Sequence, residues 1–113
     1  ERIGAVGNEV AKVTAGWLGF FYQFHQTLGY RGAPVHDAVA VAAIVKPELM
    51  QLHAMYVEVE TKGDYSRGAT VGDLYGVTGK KANVRCIMGI DREAFVDLLV
   101  EAVEHYGKGT RDD

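Results

Sequence analysis

The sequence contains little cysteine, little proline and no excess of positive charge. Its one cysteine, Cys86, excludes an internal disulfide and predicts a reducing, cytoplasmic setting, because structural disulfides belong to oxidising compartments. The 12 Lys and Arg against 15 Asp and Glu give a formal net charge of −3 without a concentrated basic patch, so we expect no nucleic-acid partner. No apolar run approaches the roughly 20 residues that span a bilayer, so we expect no membrane association.

The chain also lacks an internal repeat, a low-complexity segment and a visible signal peptide. Its 113 residues predict one domain or a piece of one, and a hydrophobic share of 48% is enough for a modest core. The C-terminal residues 107–113 are mostly polar or glycine, and we expect them to form a frayed polar tail.

Apolar side chains that recur every three or four positions predict one long amphipathic helix in the first quarter of the chain. Gly16 within it is expected to mark a close helix crossing, and Gly29 is a typical C-terminal stop. A second helix, over about 37–45, consists almost wholly of Ala, Val and Ile, so we expect it to lie inside a larger protein. The pattern of the first helix comes from Val6, Val10, Val13, Trp17, Phe20 or Phe21, Phe24 and Leu28.

Three strands and a closing helix are predicted in the second half of the chain. From 51 to 60, apolar and polar residues alternate, which predicts a strand with one buried and one wet face. A weaker strand signal covers 69–75, and a third strand is predicted over 83–89. Asp91 is expected to be the N-cap of the closing helix. The resulting order, α-α-β-β-β-α, belongs to the α/β or α+β classes.

A histidine and an aspartate stand side by side where a stiff loop becomes the apolar second helix. Pro34 fixes the backbone of the approach, and His36 and Asp37 follow it. An imidazole can carry a proton near neutral pH, and a carboxylate can ligate a hard metal ion. A purely structural interpretation competes, because Asp is among the commonest helix N-caps; Asp37 would then cap the helix and His36 would be an incidental neighbour.

The segment around this pair, Gly32-Ala33-Pro34-Val35-His36-Asp37-Ala38, resembles the C-terminal signature of the inosine-uridine-type nucleoside N-ribohydrolases. The resemblance extends from about Val6 to Tyr106 and implies an α/β fold. Residues 1–113 would form the C-terminal portion of a nucleoside hydrolase-like domain, with two N-terminal helices, three short strands and a closing helix. Further matching pieces follow in order: Pro47-Glu48-Leu49, Val57 to Gly63, Gly68-Ala69-Thr70-Val71-Gly72-Asp73 as G-x-T-x-x-D, Ala82-Asn83-Val84, and Asp91 to Tyr106.

Two parts of the family pattern have no counterpart in this sequence. Family members begin with an aspartate-rich D-x-D-x-G-x-D-D strand, which supplies most calcium ligands and the base that activates water. Their middle section carries asparagine and glutamate side chains that grip the ribose. We therefore expect this chain to be a C-terminal fragment of a longer enzyme, and its start at Glu1 rather than Met fits cleavage or truncation.

The resemblance implies a glycosidase that cleaves the N-glycosidic bond of ribonucleosides to ribose and free base. His36 matches the family's leaving-group acid, Asp37 matches a Ca²⁺ ligand that also serves ribose binding, and Phe24 lies where the family contacts the nucleobase. A Phe at helical spacing is also a common core residue, and we expect Phe21 to be core. The histidine suggests a nonspecific or pyrimidine-preferring member.

With most calcium ligands upstream of Glu1, the resemblance implies that the isolated chain binds Ca²⁺ poorly and is inactive. Its expected partners are a nucleoside substrate and the remainder of the parent chain. The parent is expected to form a homo-oligomer, either a dimer or a tetramer.

Two other functions remain open at this point. The first is a free-standing, non-catalytic α/β interaction module that binds a partner through the apolar first helix, where Trp17, Phe20, Phe21 and Phe24 cluster. The second is a different metal-assisted hydrolase built around the adjacent histidine and aspartate.

Several polar residues are predicted to have no catalytic role. His25, His53 and His105 share no metal-ligand spacing with one another. Asp73 is expected to serve a turn or a hydrogen bond in the sheet, and Cys86 is expected to be a small buried hydrophobic residue.

Overall fold

The computed structural model describes residues 1–108, which divide into two compact units. Residues 1–49 and the segment from Asp91 onward form a helical unit, and residues 50–90 form a sheet unit. Within the described residues the chain has four α-helices and one three-stranded antiparallel sheet, which confirms the mixed α/β class. Most of the predicted tail, residues 109–113, lies outside the described residues, and Gly107 is the last residue of a helix.

The helical unit contains α1 (Arg2–Ala5), α2 (Glu9–Thr27), α3 (His36–Val45), a 3-10 turn (Pro47–Leu49) and α4 (Arg92–Gly107). The prediction of one continuous helix from Val6 is wrong at its start. Gly7 has a φ of +79°, which breaks the helix, and Asn8 then begins α2 as its N-cap. The Asn8 side-chain oxygen accepts a hydrogen bond from the Ala11 amide at 2.7 Å.

Helix α4 begins as the sequence predicts. The Asp91 side chain is the N-cap and accepts a hydrogen bond from the Ala94 amide at 3.1 Å. Along α4, Phe95 and Val103 are buried, whereas Tyr106 in the last turn is exposed.

A small apolar cluster holds α1, α2 and α4 together. Its buried members are Ile3, Ala11 and Val103, one from each helix. The Asn8 amide nitrogen also donates to the Val103 carbonyl at 3.2 Å, which ties the start of α2 to α4. Partly buried side chains surround the cluster: Val6, Ala15, Leu18, Leu99 and Val100.

The closest glycine contact in this unit lies at the end of α4, not at Gly16. A Cβ on Gly107 would fall 1.7 Å from the Asn8 side-chain nitrogen, so a larger residue there would force the Asn8 side chain to move. Among the described residues, a Cβ on Gly16 would meet nothing within 4 Å, so the expected close helix crossing at Gly16 is not formed within residues 1–108. Helical periodicity alone does not show which glycine faces another element.

Helix α3 carries apolar residues on all sides, as predicted, but little of it is covered within the described residues. Only Ala42 is buried, and the Ile44 side chain is 83% exposed. The expectation that this helix lies inside a core is therefore not met by residues 1–108 themselves. No helix of this part of the chain is both long and apolar enough to cross a membrane.

The sheet unit consists of β1 (Met50–Val59), β2 (Thr70–Asp73) and β3 (Val84–Ile90) in the order β2-β1-β3. Both neighbours pair with β1 in antiparallel register, and a register shift lies between Gln51 and Leu52. All three strands were predicted, although β2 is shorter than its sequence signal. Cross-strand partners include Tyr56 with Asp73, Val59 with Thr70, Met50 with Ile90 and Met55 with Val84.

The predicted alternation of buried and wet faces in β1 is only partly right. Met55 is buried and Val57 is half-buried, but Val59 at the end of the strand is exposed. Cys86, predicted to be buried, is half-buried in β3. Alternation predicts which residues share a face but not how much of that face another element covers.

Candidate active site

His36 and Asp37 are the first two residues of α3, and both side chains are exposed. The N-cap position belongs to Val35, and no side-chain hydrogen bond caps this helix. The interpretation of Asp37 as the N-cap is therefore wrong. Its carboxylate lies in the first turn, where the helix dipole favours negative charge.

Neither side chain of this pair is engaged by the rest of the described structure. Within residues 1–108, His36 and Asp37 take part in no side-chain hydrogen bond and no ion pair. An exposed imidazole and an exposed carboxylate on successive residues can therefore offer a proton-carrying nitrogen and two oxygen ligands to a bound molecule.

The loop before α3 is set by how α2 ends. The Tyr30 amide donates to the His25 carbonyl at 3.1 Å, and Gly29 has a φ of +83°, so the chain reverses directly after the helix. Residues 31–35 then lead through Pro34 to His36. The turn chemistry recognised in the sequence, a glycine followed by a proline, thus brings the histidine to the first turn of α3.

Phe24 lies in the last turn of α2 and is 54% exposed. Its ring is therefore not a core side chain within the described residues, and one of its faces can meet a planar ligand. Phe21, which the sequence predicts to be core, is also exposed. The core prediction for Phe21 is therefore not met within residues 1–108, because the apolar stripe of α2 is wider than the surface that α1 and α4 cover.

His25, for which the sequence predicts no metal-ligand role, lies at the centre of an aromatic cluster. Its ring centroid is 4.3 Å from that of Phe21, 5.5 Å from that of Phe24 and 5.8 Å from that of Tyr30. Its Nδ1 lies 3.0 Å from the Phe21 carbonyl oxygen. The spacing of four residues between Phe21 and His25, just before a glycine stop, is the signal that could have revealed this cluster.

The sheet unit contains an open pocket of about 250 Å³ with charged groups at its wall. The Lys80 ammonium lies 2.9 Å from a Glu58 carboxylate oxygen and 4.5 Å from the Tyr56 ring centroid. The Tyr56 hydroxyl also donates to Glu58. Lys80 and Tyr56 hydrogen bonds lower the pKa of Glu58, and the Glu58 bond raises the pKa of Lys80. The three side chains are hydrogen-bonded and ion-paired with one another, and the bonds from Lys80 hold the 74–83 loop against β1.

Asp73, at the end of β2, is a turn residue, as the sequence predicts. Its carboxylate accepts hydrogen bonds from the Thr78 hydroxyl at 2.6 Å and from the Thr78 and Val77 amides at 2.8 Å each. The Thr78 hydroxyl bond, followed by these amide bonds, lowers the pKa of Asp73. The carboxylate is occupied by its own loop and is not offered to a ligand.

No complete metal site is present in the described part of the chain. Residues 1–108 contain no group of three or more His, Cys, Asp or Glu that could hold a metal ion. Calcium takes about six to eight oxygen ligands, and one carboxylate supplies one or two of them. Asp37 fits such a role because its oxygens are exposed and not engaged within residues 1–108, but other ligands must come from elsewhere.

Comparison with known proteins gives a consistent set of matches. The family model described as inosine-uridine preferring nucleoside hydrolase matches residues 1–97. A pyrimidine-specific ribonucleoside hydrolase RihA from Salmonella enteritidis is 42% identical over 108 residues, which are 94% of this chain and 35% of that protein. The RihA of Shewanella woodyi is 41% identical over 109 residues, with 95% and 35% covered.

A solved structure supports the same fold. The purine-preferring ribonucleoside hydrolase from Gardnerella vaginalis superposes with a TM-score of 0.74 at 22% identity, covering 95% of this chain and 34% of that one. The chain therefore spans about a third of the length of the relatives that it matches.

Proposed function

This chain belongs to the inosine-uridine preferring nucleoside hydrolase family, and we propose that the protein containing it hydrolyses the N-glycosidic bond of ribonucleosides to ribose and free base. The observation that carries the proposal is the pair formed by His36 and Asp37, adjacent, exposed and unengaged at the first turn of α3. Two residues with a purely structural role would cap the helix, be buried, or form hydrogen bonds or ion pairs within their own unit.

His36 acts as the general acid at the departing base. Cleavage of a glycosidic bond leaves excess electrons on the leaving group, and a proton donated there lowers the barrier. An imidazole suits this task because it gains and loses a proton near neutral pH. The exposed position of His36 leaves its ring nitrogens accessible to a base.

Asp37 contributes oxygen ligands to a calcium site and helps to fix the ribose. A bound calcium ion would supply the positive charge that holds the ribose hydroxyls and a water molecule. Asp37 lies in the first turn of α3, where the helix dipole favours a negative charge, and its side chain is exposed. The remaining ligands belong to the part of the protein outside this chain.

Phe24 provides an apolar face for the nucleobase. An exposed ring in the last turn of α2 can stack on a planar base without displacing any core side chain. We further propose uridine and cytidine as the preferred substrates, since the relatives at 41–42% identity are named as pyrimidine-specific.

The test is ribose release by the full-length protein from uridine, cytidine and inosine, with and without a calcium chelator. We expect release from the pyrimidine nucleosides that stops when calcium is removed and returns when it is restored. Faster release from inosine would contradict only the pyrimidine preference. No release from any nucleoside by the calcium-loaded protein would contradict the proposed function itself.

A further inference from the structure

His25 is held in one orientation by a hydrogen bond within α2. Its Nδ1 lies 3.0 Å from the Phe21 carbonyl oxygen, and a carbonyl only accepts, so Nδ1 carries the hydrogen and donates. This bond fixes both the tautomer and the plane of the imidazole ring. His25 is also half-buried, whereas its aromatic neighbours are exposed.

The fixed imidazole contacts one ring on each side of the helix end. The Phe24 ring stands nearly perpendicular to it, at an interplanar angle of 87°, and the Tyr30 ring lies at 64°. Phe24 belongs to α2, whereas Tyr30 lies beyond Gly29, on the segment that leads to His36. His25 therefore connects the candidate base-stacking ring with the start of the connection between α2 and α3.

This cluster is separate from the residues that hold the helical unit together. The buried apolar cluster of the unit is formed by Ile3, Ala11 and Val103, and none of these residues is one of the three rings that contact His25. Packing of the core does not require these rings to be ordered. An ordered arrangement of exposed rings that includes Phe24, the candidate base-stacking side chain, has the geometry of a preorganised binding surface.

We propose that His25 is a positioning residue for the nucleobase, which acts by holding the Phe24 ring edge-on and in place. The inference rests on the proposed function, in which Phe24 stacks on the base. His25 itself touches no reacting atom. Its loss leaves the proton donor and the metal ligand intact but lets the Phe24 ring rotate, so ground-state binding of the base weakens more than the chemical step.

The test is a double-substitution cycle in the full-length, calcium-loaded protein. Uridine KM and kcat are measured for His25→Ala, Phe24→Ala and the double variant. We expect His25→Ala to raise KM about three- to tenfold, the scale of one lost aromatic contact, with kcat within about twofold of the parent. In the Phe24→Ala background the same substitution should change KM less than about twofold, because the ring on which it acts is gone.

A second variant and a matched control keep this result interpretable. His25→Asn retains a side-chain donor for the Phe21 carbonyl but removes the ring, and it should raise KM as His25→Ala does. Phe20 lies one turn before Phe24, is exposed, and makes no ring contact with His25 within the described residues. Phe20→Ala combined with His25→Ala should therefore give multiplicative effects on KM.

The outcomes separate this inference from the function on which it rests. Suppose that the parent protein hydrolyses nucleosides, but His25→Ala raises KM equally in the parent and in Phe24→Ala, or does not raise it at all. The role proposed for His25 would then be wrong, and the proposed function would stand. An equal loss of kcat in His25→Ala and His25→Asn would also overturn the role of His25, because a positioning role predicts an effect on KM. A parent protein that hydrolyses no nucleoside would overturn the proposed function and this inference with it.

Discussion

Three carboxylates of the sheet unit differ from the Asp37 carboxylate of the helical unit in whether the described residues engage them. In the sheet unit, Glu58, Glu60 and Asp73 are all engaged by donors of their own strands and loops. In the helical unit, Asp37 and its neighbour His36 have no partner within residues 1–108. An acidic residue in a loop or a first helical turn therefore does not by itself indicate a function. Hydrogen bonds to its carboxylate from within the protein distinguish a turn residue from a candidate ligand.

Glu60 shows how complete this engagement is in the sheet unit. Its carboxylate accepts from the Lys62 amide at 2.7 Å and from the Gly63 amide at 3.0 Å, and these bonds lower its pKa. The Asn83 side chain similarly pairs with the amide and the carbonyl of Val57, at 2.8 and 3.0 Å, and so continues the strand pairing before the first residue of β3. Polar bonds thus fix this unit although few of its side chains are buried.

Helix α2 of the helical unit presents an exposed aromatic surface. Trp17 is 72% exposed and Phe20 is 77% exposed on α2. About two thirds of each relative's length has no counterpart in this chain. We expect this surface to contact the rest of the parent protein, which would also supply the remaining calcium ligands. If the chain is instead a free-standing interaction module, we expect a different partner to bind the same surface.

The largest expected effect comes from removing the free carboxylate. In the full-length protein, Asp37→Ala should lower kcat/KM for uridine by about a thousandfold, because one change removes metal charge and ribose contacts together. The matched control is Asp73→Asn, which alters an engaged carboxylate and should retain activity within about threefold. Steady-state ribose release measures both. An equal loss of kcat/KM in the two variants would show that hydrogen bonding of a carboxylate within the chain does not distinguish turn residues from ligands.

Removing the free imidazole should have a smaller effect that depends on the substrate. His36→Ala should slow uridine cleavage about a hundredfold, within the usual range for a lost general acid, and should largely spare p-nitrophenyl riboside, whose leaving group needs no proton. His53→Ala, an exposed histidine of β1, serves as the control and should change neither rate. Equal slowing of both substrates by His36→Ala would argue against proton donation to the base.

A third substitution tests how the helical unit is held together. Gly107→Ala places a methyl group against the Asn8 side chain and should lower the free energy of unfolding by about 1–3 kcal/mol, as overpacking does. Gly16→Ala meets open space and should raise it by about 0.5–1 kcal/mol through helix propensity. Urea denaturation of the full-length protein compares the two. Similar changes in both variants would show that the contact between Asn8 and Gly107 is not formed.

The smallest expected effect is the acid sensitivity of the turns in the sheet unit. Asp73 and Glu60 have pKa values below those of unfolded chains, so their bonds stabilise the folded turns fully above the unfolded pKa. This contribution is lost as the pH falls through the lower folded pKa, below about pH 4. Amide hydrogen exchange at Val77 and Thr78 should quicken there relative to its intrinsic rate, but not in Asp73→Asn. Equal acid sensitivity in that variant would exclude the carboxylate as the cause.

The sequence predicted the elements of this fold better than their burial. Strands at 51–60 and 83–89 and the N-cap at Asp91 follow from local chemistry, and each was found close to its predicted position. The break at Gly7 and Asn8 was missed because apolar periodicity continues across it. The burial of a side chain depends on which other element packs against its face. The helical period of 3.6 residues and the strand period of 2 residues do not contain that information.

The candidate site was predictable where it depends on sequence neighbours. His36 and Asp37 are adjacent in the chain, and Pro34 with Gly29 marks the loop that presents them. The spacing of Phe21 and His25 indicates one ring contact, but the contact of His25 with Tyr30 crosses the end of α2 and could not be read from the sequence. Contacts that depend on how a helix terminates need the three-dimensional structure.

We expect His36 and Asp37, at the start of α3, to bind a nucleoside and its metal ion. A crystal structure of the full-length protein with calcium and an uncleavable uridine analogue tests it most directly. We expect an Asp37 oxygen about 2.3–2.6 Å from the calcium ion. We also expect a His36 ring nitrogen within hydrogen-bonding reach of the base, at about 3 Å. A bound analogue that contacts neither residue would contradict the account.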